Sequence, residues 1–235
     1  MKLVLENIQK NFGDKVVLKN ISFTFEEGKI YGLLGRNGAG KTTLFNCLSK
    51  EIDADSGTAY LMDDNGEKQE LSLENLGYVF SSVILPEFLT GYEFIRFYME
   101  VNKKKIVSDM KIDDYFDFIK LDENDRHLLI KNYSLGMKNK IQMLMFIITK
   151  PKIILLDEPL TALDVVVALE MKKMLRNMRE KHILIFSTHI LQLAKDLCDE
   201  IIMLGDGELK MLEHSLLDQD ELEQSIIQLL GGESS

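Results

Sequence analysis

The stretch Gly35-Arg36-Asn37-Gly38-Ala39-Gly40-Lys41-Thr42-Thr43 most constrains what this chain can fold into. It lies between an apolar run, Ile30-Tyr31-Gly32-Leu33-Leu34, and an apolar-patterned segment, Leu44-Phe45-Asn46-Cys47-Leu48, so it reads as strand, glycine loop and helix. The glycines let the backbone curl until consecutive N–H groups face inward, and the start of the following helix adds partial positive charge. Together they make an anion cradle that a polyphosphate fits. At this spacing Lys41 reaches the outer phosphates and the Thr42 hydroxyl holds a magnesium ion. The first expectation is therefore nucleotide binding by Gly35 to Thr43.

The flanking chain says what surrounds the loop. Leu3-Val4-Leu5, Val16-Val17-Leu18 and Ile21-Ser22-Phe23-Thr24-Phe25, punctuated by Asn11-Phe12-Gly13-Asp14 and Glu26-Glu27-Gly28, are antiparallel strand signals. A hairpin turning at Asp63-Asp64-Asn65-Gly66 and a strand at Leu76 to Phe80 follow the loop's helix. From Pro86 to about Thr149 the texture becomes helical, with Phe94, Phe97, Tyr98 and Val101, then Tyr115, Phe116 and Ile119, at helical spacing. Ile153-Ile154-Leu155-Leu156 and Ile183-Leu184-Ile185-Phe186 are continuous apolar runs separated by a helix from about Val165 to Glu180. Such alternation predicts buried parallel strands in a doubly wound α/β sheet. A helix through Leu193 and Leu197, a hairpin at Gly205-Asp206-Gly207, and a last helix with Leu222, Ile226 and Leu229 on one face complete the chain.

Composition bounds the partners. With 235 residues the chain suits one domain carrying an inserted subdomain. A formal charge of -10 argues against nucleic acid as a partner, because phosphate backbones are held by clustered lysine and arginine. The dense basic run Lys103-Lys104-Lys105 reads as a solvated loop. Cys47 and Cys198, each expected within an amphipathic helix, suit buried thiols in a reducing compartment. The opening Met1 to Glu6 turns polar too soon for a secretory segment, and no apolar stretch approaches the ~20 residues of a membrane span. Any membrane contact is expected to come through a partner.

A magnesium nucleotide site needs an acid beside the metal and a group to polarise the attacking water. Asp157 and Glu158 supply both at the carboxyl end of a buried strand. Neighbouring strand residues point to opposite faces, so the pair divides the labour only where the backbone turns, a turn that Pro159 favours. Asp157 is assigned to magnesium through water, and Glu158 to the hydrolytic water as general base.

The order of Gly35 to Thr42, Tyr133-Ser134-Leu135-Gly136-Met137-Lys138, Leu155-Leu156-Asp157-Glu158-Pro159, Thr161-Ala162-Leu163-Asp164 and Ser187-Thr188-His189 resembles the nucleotide-binding subunits of ATP-binding cassette (ABC) transporters. The resemblance covers nearly the whole chain. It implies a phosphate-loop NTPase (RecA-like) parallel-sheet core with an antiparallel β subdomain and an inserted helical subdomain. The divisions are then 1–80 and 150–213 for the β layer and core, 81–149 for the helices, and 214–235 for a C-terminal helix. It further implies that Ser134 and the Gly136 N–H grip the γ-phosphate of ATP on a second copy of the chain, in a head-to-tail dimer. Asp164 would link the two sites, His189 would contact the γ-phosphate, and Phe12 would stack on adenine unless it is simply core. After Gly77-Tyr78-Val79-Phe80 the family usually presents a glutamine that touches magnesium or the attacking water; here Ser81 and Ser82 stand, so Ser81 is expected to reach magnesium only through a bridging water or a backbone shift and to couple ATP to transport more loosely.

The resemblance implies an ATPase at the cytoplasmic face of a bacterial membrane, using ATP and Mg2+ to power a transmembrane permease on another chain. The permease would press short helices near Ser81 to Tyr92, where Val83, Ile84, Leu85, Phe88 and Leu89 are equally readable as dock or as core. The form Ser134-Leu135-Gly136-Met137-Lys138, and the expectation that no regulatory domain follows, favour an exporter, with antimicrobial or membrane-active peptides as the first reading and a lipid or drug exporter subunit as an alternative. The alternative is a soluble ATPase of the same family, such as one serving iron-sulfur assembly.

Overall fold

The computed structural model describes residues 1–72, 74–106, 108–160 and 165–212. Among the described residues ten strands form two sheets: β1 (Lys2–Phe12), β2 (Lys15–Glu26), β3 (Ile30–Leu34), β4 (Ser56–Met62), β5 (Lys68–Glu70), β6 (Leu76–Val79), β7 (Ile153–Asp157), β8 (Ile183–Thr188), β9 (Glu200–Gly205) and β10 (Glu208–Leu212). The first sheet is antiparallel in the order β2-β1-β4-β5. The second runs β10-β9-β3-β8-β7-β6 and is parallel except for β10 at its edge. The helices are α1 (Lys41–Leu48), α2 (Gly91–Val101), α3 (Ile112–Phe118), α4 (Glu123–Arg126), α5 (Leu135–Thr149), α6 (Val165–Met178) and α7 (Leu191–Leu197). This is the mixed α/β architecture expected of a phosphate-loop NTPase.

Every residue of β3, β7 and β8 is buried, as continuous apolar strands covered on both faces must be. Alternation along them splits the interior in two. Ile154, Leu156, Leu184 and Phe186 pack with the helical residues Phe94, Phe116, Ile141 and Leu175. Ile153, Leu155, Ile183 and Ile185 face the other way, against Leu44 and Phe45 of α1 and Leu3, Leu5 and Phe25 of the antiparallel sheet. Burying each such side chain is worth about 1.5–3 kcal/mol, so the sheet is held from both faces.

Val16 to Leu18 and Ile21 to Phe25 belong to one strand, β2, whose pairing with β1 absorbs the interruption through register shifts. One of those shifts falls beside Asn7, which has φ 54°. The turn between β9 and β10 has Asp206 at φ 51° and Gly207 at φ 78°, both central residues left-handed as a tight hairpin prefers. Cys198 lies one residue past the end of α7 rather than within it, its sulfur against Gly32, where a Cβ would come within 2.6 Å. Burial pushes the Cys198 thiol up and Cys47 to about 11, so both stay protonated. The last predicted helix, with Leu222, Ile226 and Leu229, lies outside the described residues.

Strand register brings the functional segments to one edge. Leu34 pairs with Thr188 and Asp157 with Ser187, so β3, β7 and β8 end side by side. The loop from Gly35, the pair Asp157-Glu158 and His189 all leave the sheet there, outside the carboxyl ends of its central strands.

Candidate functional site

The glycine loop begins anchored to the sheet, Gly35 N–H donating to Thr188 O at 3.2 Å. Gly40 caps α1 at φ 106°, and a Cβ there would approach Val17 to 2.9 Å, so both conformation and space require glycine. No side chain caps this helix. Its first N–H groups therefore stand at the cleft as donors for an anion.

Lys41 is 6% exposed, yet its ammonium is surrounded by oxygen: Gly35 O at 2.7 Å, Arg36 O at 3.1 Å and Glu158 Oε1 at 3.4 Å. A buried cation is tolerated when it is paired and hydrogen-bonded in this way. Asp157, 1% exposed, accepts from Thr42 Oγ1 at 2.7 Å on one oxygen and from Ser187 Oγ at 2.6 Å on the other. Ser187 in turn accepts the Glu158 N–H at 2.9 Å. One hydroxyl thus orients both acids.

Adjacent strand residues would diverge, but β7 stops at Asp157 and Glu158 takes φ 53°, a left-handed conformation that side chains other than glycine seldom adopt. The bend occurs at Glu158 itself, one residue before the proline to which the turn is ascribed on sequence grounds. It swings the Glu158 carboxylate to His189, whose Nδ1 lies 3.1 Å from each oxygen. Glu158 is thereby poised between a buried lysine and a histidine that is 39% exposed.

A cleft of about 510 Å³ joins these groups. Phe12, Lys15 and Val17 line it together with Arg36, Asn37, Gly38, Gly40, Lys41, Thr42, Thr43, Ser81, Asp157 and Glu158. Its size suits a small-molecule ligand. Phe12 is 52% exposed, which removes the reading of it as core. Gly35 and Ala39 belong to the loop, Gly35 contributing its carbonyl to Lys41. The hard oxygens of Thr42 and Asp157 suit Mg2+, which takes one or two protein oxygens and completes its shell with phosphate and water. Among the described residues no group of three histidines, cysteines or acids gathers to hold a metal without such help.

Ser134 and Gly136 are placed elsewhere. Ser134 caps α5, accepting the Met137 N–H at 3.2 Å, and is exposed together with Leu135. Gly136 is buried against Val167 of α6, where a Cβ would meet a methyl at 3.1 Å. Neither lines the cleft of its own chain. Asp164 falls outside the described residues. Near Ser81, Ile84 and Phe88 are 72% and 79% exposed, while Leu85 and Leu89 pack on the core, so the apolar run divides. Among the described residues no helix is long and apolar enough to cross a membrane.

Two residues of the site lacked an assigned role. Ser187 was readable as a lone hydroxyl ending an apolar strand, 0% exposed, which must find partners. Lys15 carried no sequence signal beyond its place after the Phe12 turn.

The ABC transporter family profile matches residues 18–161. An uncharacterized ABC transporter ATP-binding protein of Bacillus subtilis, YdbJ, is 32% identical over 97% of this chain and 74% of its own length. A second from the same organism, YxlF, is 33% identical over 88% of this chain and 69% of its own. The ADP conformation of MJ1267, an ATP-binding cassette of an ABC transporter, shares the fold with a TM-score of 0.79 at 19% identity, covering 99% of this chain and 100% of that one.

Proposed function

The chain belongs to the ABC transporter family as an ATP-binding, ATP-hydrolysing subunit, and from that membership we propose that it energises a permease carried on a separate chain. The observation that carries this reading is the pair Ile84 and Phe88, exposed a few residues beyond Ser81, which itself lines the cleft. Large apolar side chains left in solvent, in the segment that follows a cleft residue, suit the cytosolic helices of a membrane partner. The ATPase thus sits on the cytoplasmic face of the membrane through that partner. We take the whole chain as one ATPase unit, with residues 81–149 as the subdomain that presents Ser134.

In the proposed reaction the α1 N-terminus and Lys41 hold the outer phosphates. Glu158, oriented through its backbone by Ser187 and through its carboxylate by His189, accepts a proton from water. The water oxygen bonds to the γ-phosphorus as the bond to the ADP oxygen breaks, giving ADP and phosphate. Thr42 and Asp157 would hold Mg2+, which when bound neutralises phosphate charge. Phe12 stacks on the base. Ser134 and Gly136, turned away from their own cleft, complete the site of a second copy, and Asp164 links the two sites.

The variant signature around Leu135 supports export, with membrane-active peptides as the cargo class. The test is membrane association. The wild-type chain is expected to co-purify with a polytopic membrane protein and to leave it when Phe88 is changed to Glu, with ATP binding intact. A chain found only in the soluble fraction would overturn the permease reading in favour of a soluble ATPase. Loss of peptide resistance on deletion is the expected result for the cargo, and unchanged resistance would remove it.

A further inference from the structure

The tip of the β1–β2 hairpin, which carries Phe12, is held from outside the hairpin. Asp55, in the turn between α1 and β4, accepts the Asn11 N–H on Oδ2 at 2.6 Å and the Lys10 ammonium on Oδ1 at 2.9 Å. Lys10 Nζ donates as well to Asp53 O at 2.6 Å, and it stands over the Phe12 ring, 5.6 Å from the centroid. The Asp55 N–H closes the arrangement by donating to Gln9 O at 2.9 Å. Pairing between β1 and β4 reaches only Gln9 with Ser56, and the β1–β2 register shifts on both sides of Lys10. Where the ladder gives out, the Asp55 side chain takes the place of a strand partner.

We propose that Asp55, acting through Asn11 and Lys10, is a positioning residue for the nucleotide base: it fixes the Phe12 ring so that one face is covered by the Lys10 ammonium and the other is offered to the cleft. The inference rests on the reading of Phe12 as the base platform. Lys10 holds the Asp55 carboxyl below its usual range, and Asp55 raises the Lys10 ammonium in return, so both are charged at neutral pH. An ammonium within ~6 Å of a ring centroid is attracted to the ring face, so it restrains an aromatic that packing leaves half exposed. The same turn follows the helix whose first residues form the phosphate cradle, so α1 connects the supports of both ends of the nucleotide.

Enzyme kinetics separate positioning from folding. Asp55→Ala and Lys10→Met are each expected to raise the KM for ATP about three- to tenfold with kcat within about twofold, the scale of a loosened ring contact. Inhibition by tripolyphosphate, which has no base, should be unchanged, and Asp55→Ala should add nothing once Phe12 is Ala. The sign is informative, because deleting a carboxylate near a polyphosphate site would by charge alone tighten ATP. The chain has no tryptophan, so Phe12→Trp supplies a single reporter. Its anisotropy should fall when Asp55 or Lys10 is also replaced. If Phe12→Ala raises the KM while Asp55→Ala and Lys10→Met do not, the positioning role is overturned and the stacking reading stands. If Phe12→Ala leaves the KM unchanged, the stacking reading itself fails.

Discussion

The two ends of the proposed ATP site are built in opposite ways. At the phosphate loop, Lys41 and Asp157 are almost wholly buried and each is hydrogen-bonded by its own chain, through Gly35, Arg36, Thr42 and Ser187. At the start of α5, Ser134 and Leu135 lie in solvent, and α6 opens with Val165 and Val166 at 76% and 66% exposure. Buried charges must be satisfied where they are, so the first end is rigid and preorganised. We propose that the exposed start of α5 is instead a half-site, suited to the phosphate of another copy. On that proposal one chain supplies the chemistry and its neighbour supplies closure.

Breaking the buried end should have the largest consequence. Glu158→Gln keeps the size of the side chain and removes the base, so turnover should fall about 10²–10⁴-fold in a steady-state phosphate assay while ATP still binds. Breaking the exposed end comes next. Ser134→Arg should lower kcat about 100-fold, the cost of losing preorganised donors at a developing charge, with unchanged ATP affinity for the isolated chain by calorimetry. A loss of ATP affinity in the isolated Ser134→Arg chain would erase the distinction between the two ends.

Ser187→Ala tests why the buried end is rigid. It leaves the Glu158 N–H and one Asp157 oxygen without their partner, and denaturant unfolding should show a loss of about 1–3 kcal/mol. Ser81→Gln alters a residue that lines the cleft and has the smallest expected effect. Restoring the longer side chain should change permease-stimulated ATPase about fivefold, at the low end of coupling between sites. Identical stimulated rates would show that Ser81 does not loosen that coupling.

Much of the buried end was legible because its signals are local. Glycines between a strand pattern and a helix pattern, and acids closing an apolar run, need no tertiary information. What joins them does: Thr42 meets Asp157 across 115 positions, and Ser187 meets Asp157 across 30. The left-handed turn at Glu158 was equally hidden, since residues before proline favour extended backbone and only the surrounding contacts impose φ 53°. Between Val83 and Leu89 the apolar pattern alone did not distinguish core from surface. Packing did, taking Leu85 and Leu89 inward and leaving Ile84 and Phe88 out. The Asp55 clamp left no trace in the pattern, because an aspartate in a turn is ordinary.

The central claim is that the exposed start of α5 completes a second copy's site. Sizing Glu158→Gln with Mg-ATP by light scattering tests it most directly, because blocked hydrolysis traps whatever assembly ATP favours. The account predicts a mass twice that of the 27.0 kDa chain, returning to one chain when Ser134→Arg is added. A Glu158→Gln protein that is saturated with ATP and yet monomeric, or a dimer indifferent to Ser134→Arg, would contradict it.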